Sequence, residues 1–150
     1  MCLSRQKALL LAAAFTMACH ESTGPPQTVS GLYVLRSVNG RPVPAFLNAG
    51  LSDTTFILWA TLRLDSAGNA FRAERWRYVY QPNRTDEGTF TIQSEYRIIG
   101  KNITVGSFKL CAPNELCEGN KVGKLTNTTL TLAYESPNAP VYLYRRAQTY

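Results

Sequence analysis

Thr54-Thr55-Phe56-Ile57-Leu58-Trp59-Ala60-Thr61-Leu62-Arg63-Leu64 runs into Asp65-Ser66-Ala67-Gly68-Asn69 and then into Ala70-Phe71-Arg72-Ala73-Glu74-Arg75-Trp76-Arg77-Tyr78-Val79-Tyr80. In the first run Phe56, Leu58, Ala60, Leu62 and Leu64 recur at every second position, with Thr55, Thr61 and Arg63 among them. Period 2 is the pattern of a strand with one buried face. The middle cluster consists of turn formers, and Gly68 is free to take the positive φ that a tight reversal needs. The third run returns as a second strand rich in aromatic residues. The stretch therefore reads as one long β-hairpin. Each arm has about 11 residues and is roughly 35 Å long at ~3.3 Å per residue. Such arms suit a coiled barrel wall better than a compact sandwich.

The rest of the chain extends this pattern in both directions. Alternation and turn signals predict strands over 30–38, 54–64, 70–80, 89–99, 103–111, 121–125, 129–134 and 141–145. Arg41-Pro42-Val43-Pro44 is expected outside the sheet, since two prolines remove ladder donors. Residues 47–53 read as a loop across one end of the barrel, and Gln81 to Gly88 as a polar, exposed connection. No helical period appears in the body. Eight consecutive strands joined by short connections predict an all-β domain over 30–150, an eight-stranded antiparallel up-and-down β-barrel, which also removes exposed sheet edges.

Residues 1–18 have the parts of a signal peptide. Arg5 and Lys7 precede an apolar run from Ala8 to Phe15, and small Ala18 stands just before Cys19. The run is too short to span a bilayer, which takes about 20 apolar residues. Thr16-Met17-Ala18-Cys19 resembles a bacterial lipobox, with Thr16 where an aliphatic residue is usual. That resemblance implies a lipid-modified Cys19 at the mature N-terminus and a membrane anchored partner surface; ordinary cleavage after Ala18 is the alternative. Residues 19–29 then read as a polar tether containing Gly24, Pro25 and Pro26. The formal charge of +6 falls to +4 once Arg5 and Lys7 are removed, and the remaining cations are scattered along the chain. Cys111 and Cys117 are left as a pair bracketing Ala112-Pro113-Asn114-Glu115-Leu116, and in an oxidising compartment a disulfide is expected. A two-thiolate metal site lacks further ligands, because the only histidine is His20 in the tether.

Gly31-Leu32-Tyr33-Val34-Leu35-Arg36-Ser37-Val38-Asn39-Gly40-Arg41-Pro42-Val43-Pro44 resembles the opening of bacterial lipocalin-like lipoproteins. The closing segments Leu130-Thr131-Leu132-Ala133-Tyr134 and Val141-Tyr142-Leu143-Tyr144-Arg145-Arg146 are similar to theirs as well. The first strand also resembles the opening of META-type heat-shock domains. Both resemblances imply a small exported β fold in the cell envelope, and neither supplies catalytic residues.

Among candidate sites the returning strand is the most unusual. Arg72, Glu74, Trp76, Tyr78 and Tyr80 share one face. If that face points inward, the aromatics line a cavity wall and Arg72 can pair with Glu74. An eight-stranded barrel can be filled by its side chains or can hold one small ligand. The ordinary alternative is that these aromatics simply fill the core. Arg75, Trp76 and Arg77 alternate between faces and so form no single nucleic-acid platform. The body has no histidine for a Ser–His or Cys–His system, no phosphate-cradling glycine loop and no spaced metal ligands. The expectation is thus a non-catalytic, cofactor-free lipoprotein that binds a small apolar or amphipathic ligand. The alternative is an envelope protein–protein interaction module, an inhibitor or assembly factor, built on a packed barrel.

Overall fold

The computed structural model describes residues 29–50, 53–80, 84–108 and 119–148. Within them lie β1 (Gly31–Val38), β2 (Arg41–Pro42), β3 (Ala45–Ala49), β4 (Asp53–Leu64), β5 (Asn69–Tyr80), β6 (Arg84–Ile99), β7 (Asn102–Gly106), β8 (Lys121–Leu125), β9 (Thr129–Tyr134) and β10 (Tyr142–Arg146). From β4 to β10 each strand pairs antiparallel with the next. β1 pairs with β10 on one side and with β4 on the other, which closes eight strands into an up-and-down barrel. The architecture is the one expected from the sequence.

The closure has a seam. Only Gly31–Val34 of β1 meets β4, whereas Ser37 and Val38 meet β2. The two extra strands occupy the gap: β2 lies on β1, and β3 covers Thr54–Ile57 of β4. Residues 41–44, expected outside the sheet, thus contribute β2, and residues 47–53, expected as a loop, are strand at 47–49 in β3 and again from Asp53 in β4. Pro42 is accommodated because it sits in a two-residue edge strand, where a missing donor faces no partner.

Three bulges shape the wall, at Arg36 in β1, Leu47 in β3 and Leu58 in β4. The third corrects the simple alternation expected for β4. Ile57 pairs with Trp76 and Trp59 with Arg75, so Leu58 is an inserted residue. Thr55 and Ile57 are buried before it, and Ala60, Leu62 and Leu64 after it, while Phe56 lies on the outer face against Phe46. One inserted residue exchanges the two faces of a strand and increases its bend.

β6 begins earlier than expected. Arg84 to Gly88 is strand, not connection, and pairs residue by residue with Trp76 to Tyr80. Its polar character belongs to exposed ion pairs, across to β5 from Glu87 and within β6 from Arg84. Glu87 lies 2.9 Å from Arg75 and 2.7 Å from Arg77, and Arg84 lies 2.7 Å from Asp86.

The apolar core fills the end of the barrel holding the β4–β5, β6–β7 and β8–β9 turns. Tyr33, Leu35, Leu62, Leu64, Ile103, Leu130 and Leu132 are fully buried there. Two of its phenols are satisfied by backbone: Tyr33 donates to the Val29 carbonyl at 2.8 Å, and Tyr96 to that of Asp65 at 2.5 Å. β8 and β9 approach so closely that a Cβ on Gly123 would stand 1.6 Å from the Thr131 carbonyl oxygen. Only glycine fits at that position.

Candidate functional site

β5 alternates, so Ala70, Arg72, Glu74, Trp76, Tyr78 and Tyr80 share a face, and closure turns that face inward. Burial is complete at Ala70 and grades to half-buried at Tyr78 and Tyr80. The face therefore runs from the packed core to the open rim.

Arg72 and Glu74 lie in its middle, each 5% exposed. Two positions apart on one face, their side chains are neighbours, and Arg72 Nε stands 2.9 Å from Glu74 Oε1. Glu74 Oε2 accepts a hydrogen bond of 3.0 Å from Trp76 Nε1. The carboxylate thus sets its charge against the guanidinium and fixes the orientation of the indole. Above it Trp76 and Tyr78 run nearly parallel with ring centroids 6.4 Å apart and planes 12° apart; Tyr80 continues the ladder at 6.4 Å and 23°. At the rim the Arg84 guanidinium lies 5.5 Å from the Tyr80 ring centroid.

A cavity of about 500 Å³ opens on this wall, lined by Arg72, Glu74, Trp76, Tyr78, Phe90, Ile92 and Tyr134 together with Thr89 and Thr91. Phe90 and Ile92 face inward because they pair directly with Glu74 and Arg72. Gly88, opposite Trp76, carries no side chain to crowd the indole from the neighbouring strand. The mouth follows from strand lengths. β6 is long, yet β7 pairs with it only over Glu95–Ile99. Beside Arg84–Ser94 no second strand lies among the described residues, and Phe90 is exposed there.

Across the interior stands Lys121, 3% exposed at the start of β8. Its Nζ lies 4.5 Å from the Tyr134 ring centroid and 5.8 Å from that of Tyr142, so the ammonium is held between two electron-rich faces. Burial pushes the Tyr142 hydroxyl well above the ordinary phenol value; Glu74 and Tyr134 add to the shift and Arg72 opposes it. Tyr78 is raised chiefly by burial as well, then by Tyr80, Asp53 and Glu74. Both phenols stay neutral around pH 7 and can donate a hydrogen bond.

Of the β5 residues singled out from the sequence, Arg72, Glu74, Trp76 and Tyr78 meet at the cavity, while Tyr80 stacks at the rim outside its lining. Lys121, Tyr134, Phe90 and Ile92 were not anticipated. Lys121 had a signal: it shares the inward parity of Gly123 and Leu125 in β8. Cys19, Cys111 and Cys117 lie outside the described residues. Among the described residues no cluster of three or more His, Cys, Asp or Glu side chains is placed to hold a metal ion. What the cavity offers is noncovalent: aromatic faces, neutral phenols and a guanidinium–carboxylate floor. Compared with protein-family models, with curated proteins and with solved structures, the chain gives no significant match.

Proposed function

We propose that this protein is an exported, lipid-anchored barrel of the lipocalin-like kind that binds one small amphipathic molecule in the cavity beside β5. The observation that carries the proposal is the composition of that cavity. Its volume of about 500 Å³ falls in the range of small-molecule sites. A wall meant only to be packed is best built from aliphatic side chains, which need no hydrogen-bond partners. This one instead presents Trp76 and Tyr78 above a buried Arg72–Glu74 pair. Aromatic faces would take the apolar body of a ligand, and the polar floor and phenols would orient its head. Export and anchoring are supported by the signal-like residues 1–18 and the lipobox-like Thr16-Met17-Ala18-Cys19.

The second reading, an envelope protein–protein module, draws on the outer wall, where the aromatics Phe46 and Trp59 are exposed.

Titration with 1-anilinonaphthalene-8-sulfonate, an amphipathic aromatic anion, tests the first. The chain has two tryptophans, so Trp59→Phe leaves Trp76 as the sole reporter. Saturable one-to-one binding that quenches Trp76 emission, and that weakens at least about tenfold in a folded Trp76→Ala variant (roughly 1.4 kcal/mol), is the expected result. Failure to saturate, or unchanged affinity in Trp76→Ala, rejects the site. Native mass spectrometry of the purified protein separates the two readings, by a small-molecule adduct or by a co-purified protein. Intact mass decides the anchor, which should appear as diacylglycerol on Cys19 and vanish in Cys19→Ser.

A further inference from the structure

Up-and-down strands put all chain reversals at two ends, and charge is divided unequally between them. The end opposite the cavity mouth carries the β4–β5, β6–β7 and β8–β9 turns, and the described chain enters it at Val29. Lys101, Lys124, Arg145 and Arg63 are exposed at or beside this end. Its acids are fewer. Asp65 uses its carboxylate within its own turn, accepting from the Ala67 and Asn69 amides and from Asn69 Nδ2; Glu95, opposite Asn69, is the other acid there among the described residues. At the opposite end Asp53, Asp86, Glu87 and Glu135 balance Arg41, Arg77 and Arg84 among the described residues. Beside Lys101 and Lys124, at the end of β6, stands Ile99, 81% exposed and the most exposed large apolar side chain described. Lys101 is in the turn that follows it. Lys124 lies two strands away in register through Asn102, about 10 Å at the ~4.8 Å spacing of strands.

We propose that this closed end docks on an anionic phospholipid surface, with Lys101 and Lys124 at the phosphates and Ile99 inserted between headgroups. Complementary charge supports the choice of partner, and the chain's path supports the orientation. Nine residues separate Cys19 from Val29, a reach of at most roughly 35 Å over ten Cα steps. A lipid on Cys19 would therefore hold this end toward the bilayer and turn the cavity mouth away. That orientation rests on the anchor, but the surface chemistry does not. An isolated exposed isoleucine gains nothing from water and gains free energy by burial among acyl chains. A soluble polyanion would use the lysines and ignore it.

The test is sedimentation with vesicles of a Cys19→Ser chain made without residues 1–18, which keeps every strand of the closed barrel. Vesicles of phosphatidylcholine alone are compared with vesicles containing about one third phosphatidylglycerol. Binding to the anionic vesicles only, weakened by salt, is expected. Lys101→Glu and Lys124→Glu should each lower the partition coefficient at least about fivefold. Ile99→Ser should lower it while leaving the salt dependence unchanged. Near-UV circular dichroism confirms that the variants fold. Equal partition to neutral vesicles, no partition to either, or indifference to the lysine changes overturns the proposal. So does indifference to Ile99→Ser together with equal binding to heparin, which would identify a polyanion surface instead. None of these outcomes bears on lipidation, which intact mass reads separately.

Discussion

Glu74→Gln is the substitution on which the geometry of the cavity floor speaks most directly. Arg72 Nε and Glu74 Oε1 are 2.9 Å apart, and each side chain is 6% exposed. At an effective dielectric near 20 the attraction at that separation is roughly 6 kcal/mol. Removing two ions from water costs several kcal/mol each, so the intact pair is worth little net. Removing one charge is a different matter, because the cost of burying the other remains. Breaking such a pair costs about 3–5 kcal/mol, against a whole-domain stability of about 5–15 kcal/mol. Glutamine matches glutamate in size and keeps an acceptor for Trp76 Nε1, so no cavity contributes to the loss. Guanidinium chloride unfolding at pH 7, followed by tryptophan fluorescence and far-UV circular dichroism, reads the effect as a lower midpoint at unchanged slope. The double variant Arg72→Met with Glu74→Leu should recover most of the loss, since apolar replacement of a buried pair is often neutral or better. Glu87→Gln, which cuts exposed links to Arg75 and Arg77, should leave the midpoint where it was. A loss below about 1 kcal/mol for Glu74→Gln, or a double variant weaker than the single, would show that the pair is solvated and refute the reasoning.

Other expectations follow from particular contacts. Gly123→Ala places a Cβ 1.6 Å from the Thr131 carbonyl oxygen, so β8 and β9 must part; about 2–3 kcal/mol should be lost, and an unchanged thermal midpoint would contradict the approach seen here. Cys111 and Cys117 should be joined, stabilising the fold by roughly 2 kcal/mol in the chain-entropy model, and non-reducing peptide mapping that recovers both as free thiols rules this out. The Asp65 carboxyl is held below its ordinary value first by the hydrogen bond from the Asn69 side chain. A depressed folded pKa gives stability that is present above the ordinary carboxylate value, about 4, and is lost as pH falls through the folded value. The melting temperature should therefore hold from pH 7 to about 5 and drop below about 4; a rise on acidification would be the wrong sign.

Much of the cavity wall was legible before any coordinates. Period 2 alone groups Arg72, Glu74, Trp76, Tyr78 and Tyr80, because backbone pleating sends alternate side chains to opposite faces whatever the strand pairs with. Turn residues between the strands mark where the chain reverses: Asn39, Gly40, Gly68 and Gly100 all have the positive φ that such residues tolerate. These are local properties, settled by each residue and its immediate neighbours.

Which face of β5 turns inward was not local, since neither face is purely apolar. Closure of β1 onto both β4 and β10 decided it. The bulge at Leu58 was equally hidden, because an inserted residue is defined only against the strand opposite and leaves no mark in a run as uniformly apolar as Phe56 to Ala60. Arg84 to Gly88 reads as a loop because its residues are polar; paired residue by residue with β5, and with Glu87 held by Arg75 and Arg77, it extends the wall. Tyr134 comes to the cavity, with Lys121 against its ring, from strands more than 40 residues along the chain from Trp76. Register and closure are properties of pairs of strands, and their free energy comes from contacts between residues distant in the chain, so only the folded barrel could assemble the site.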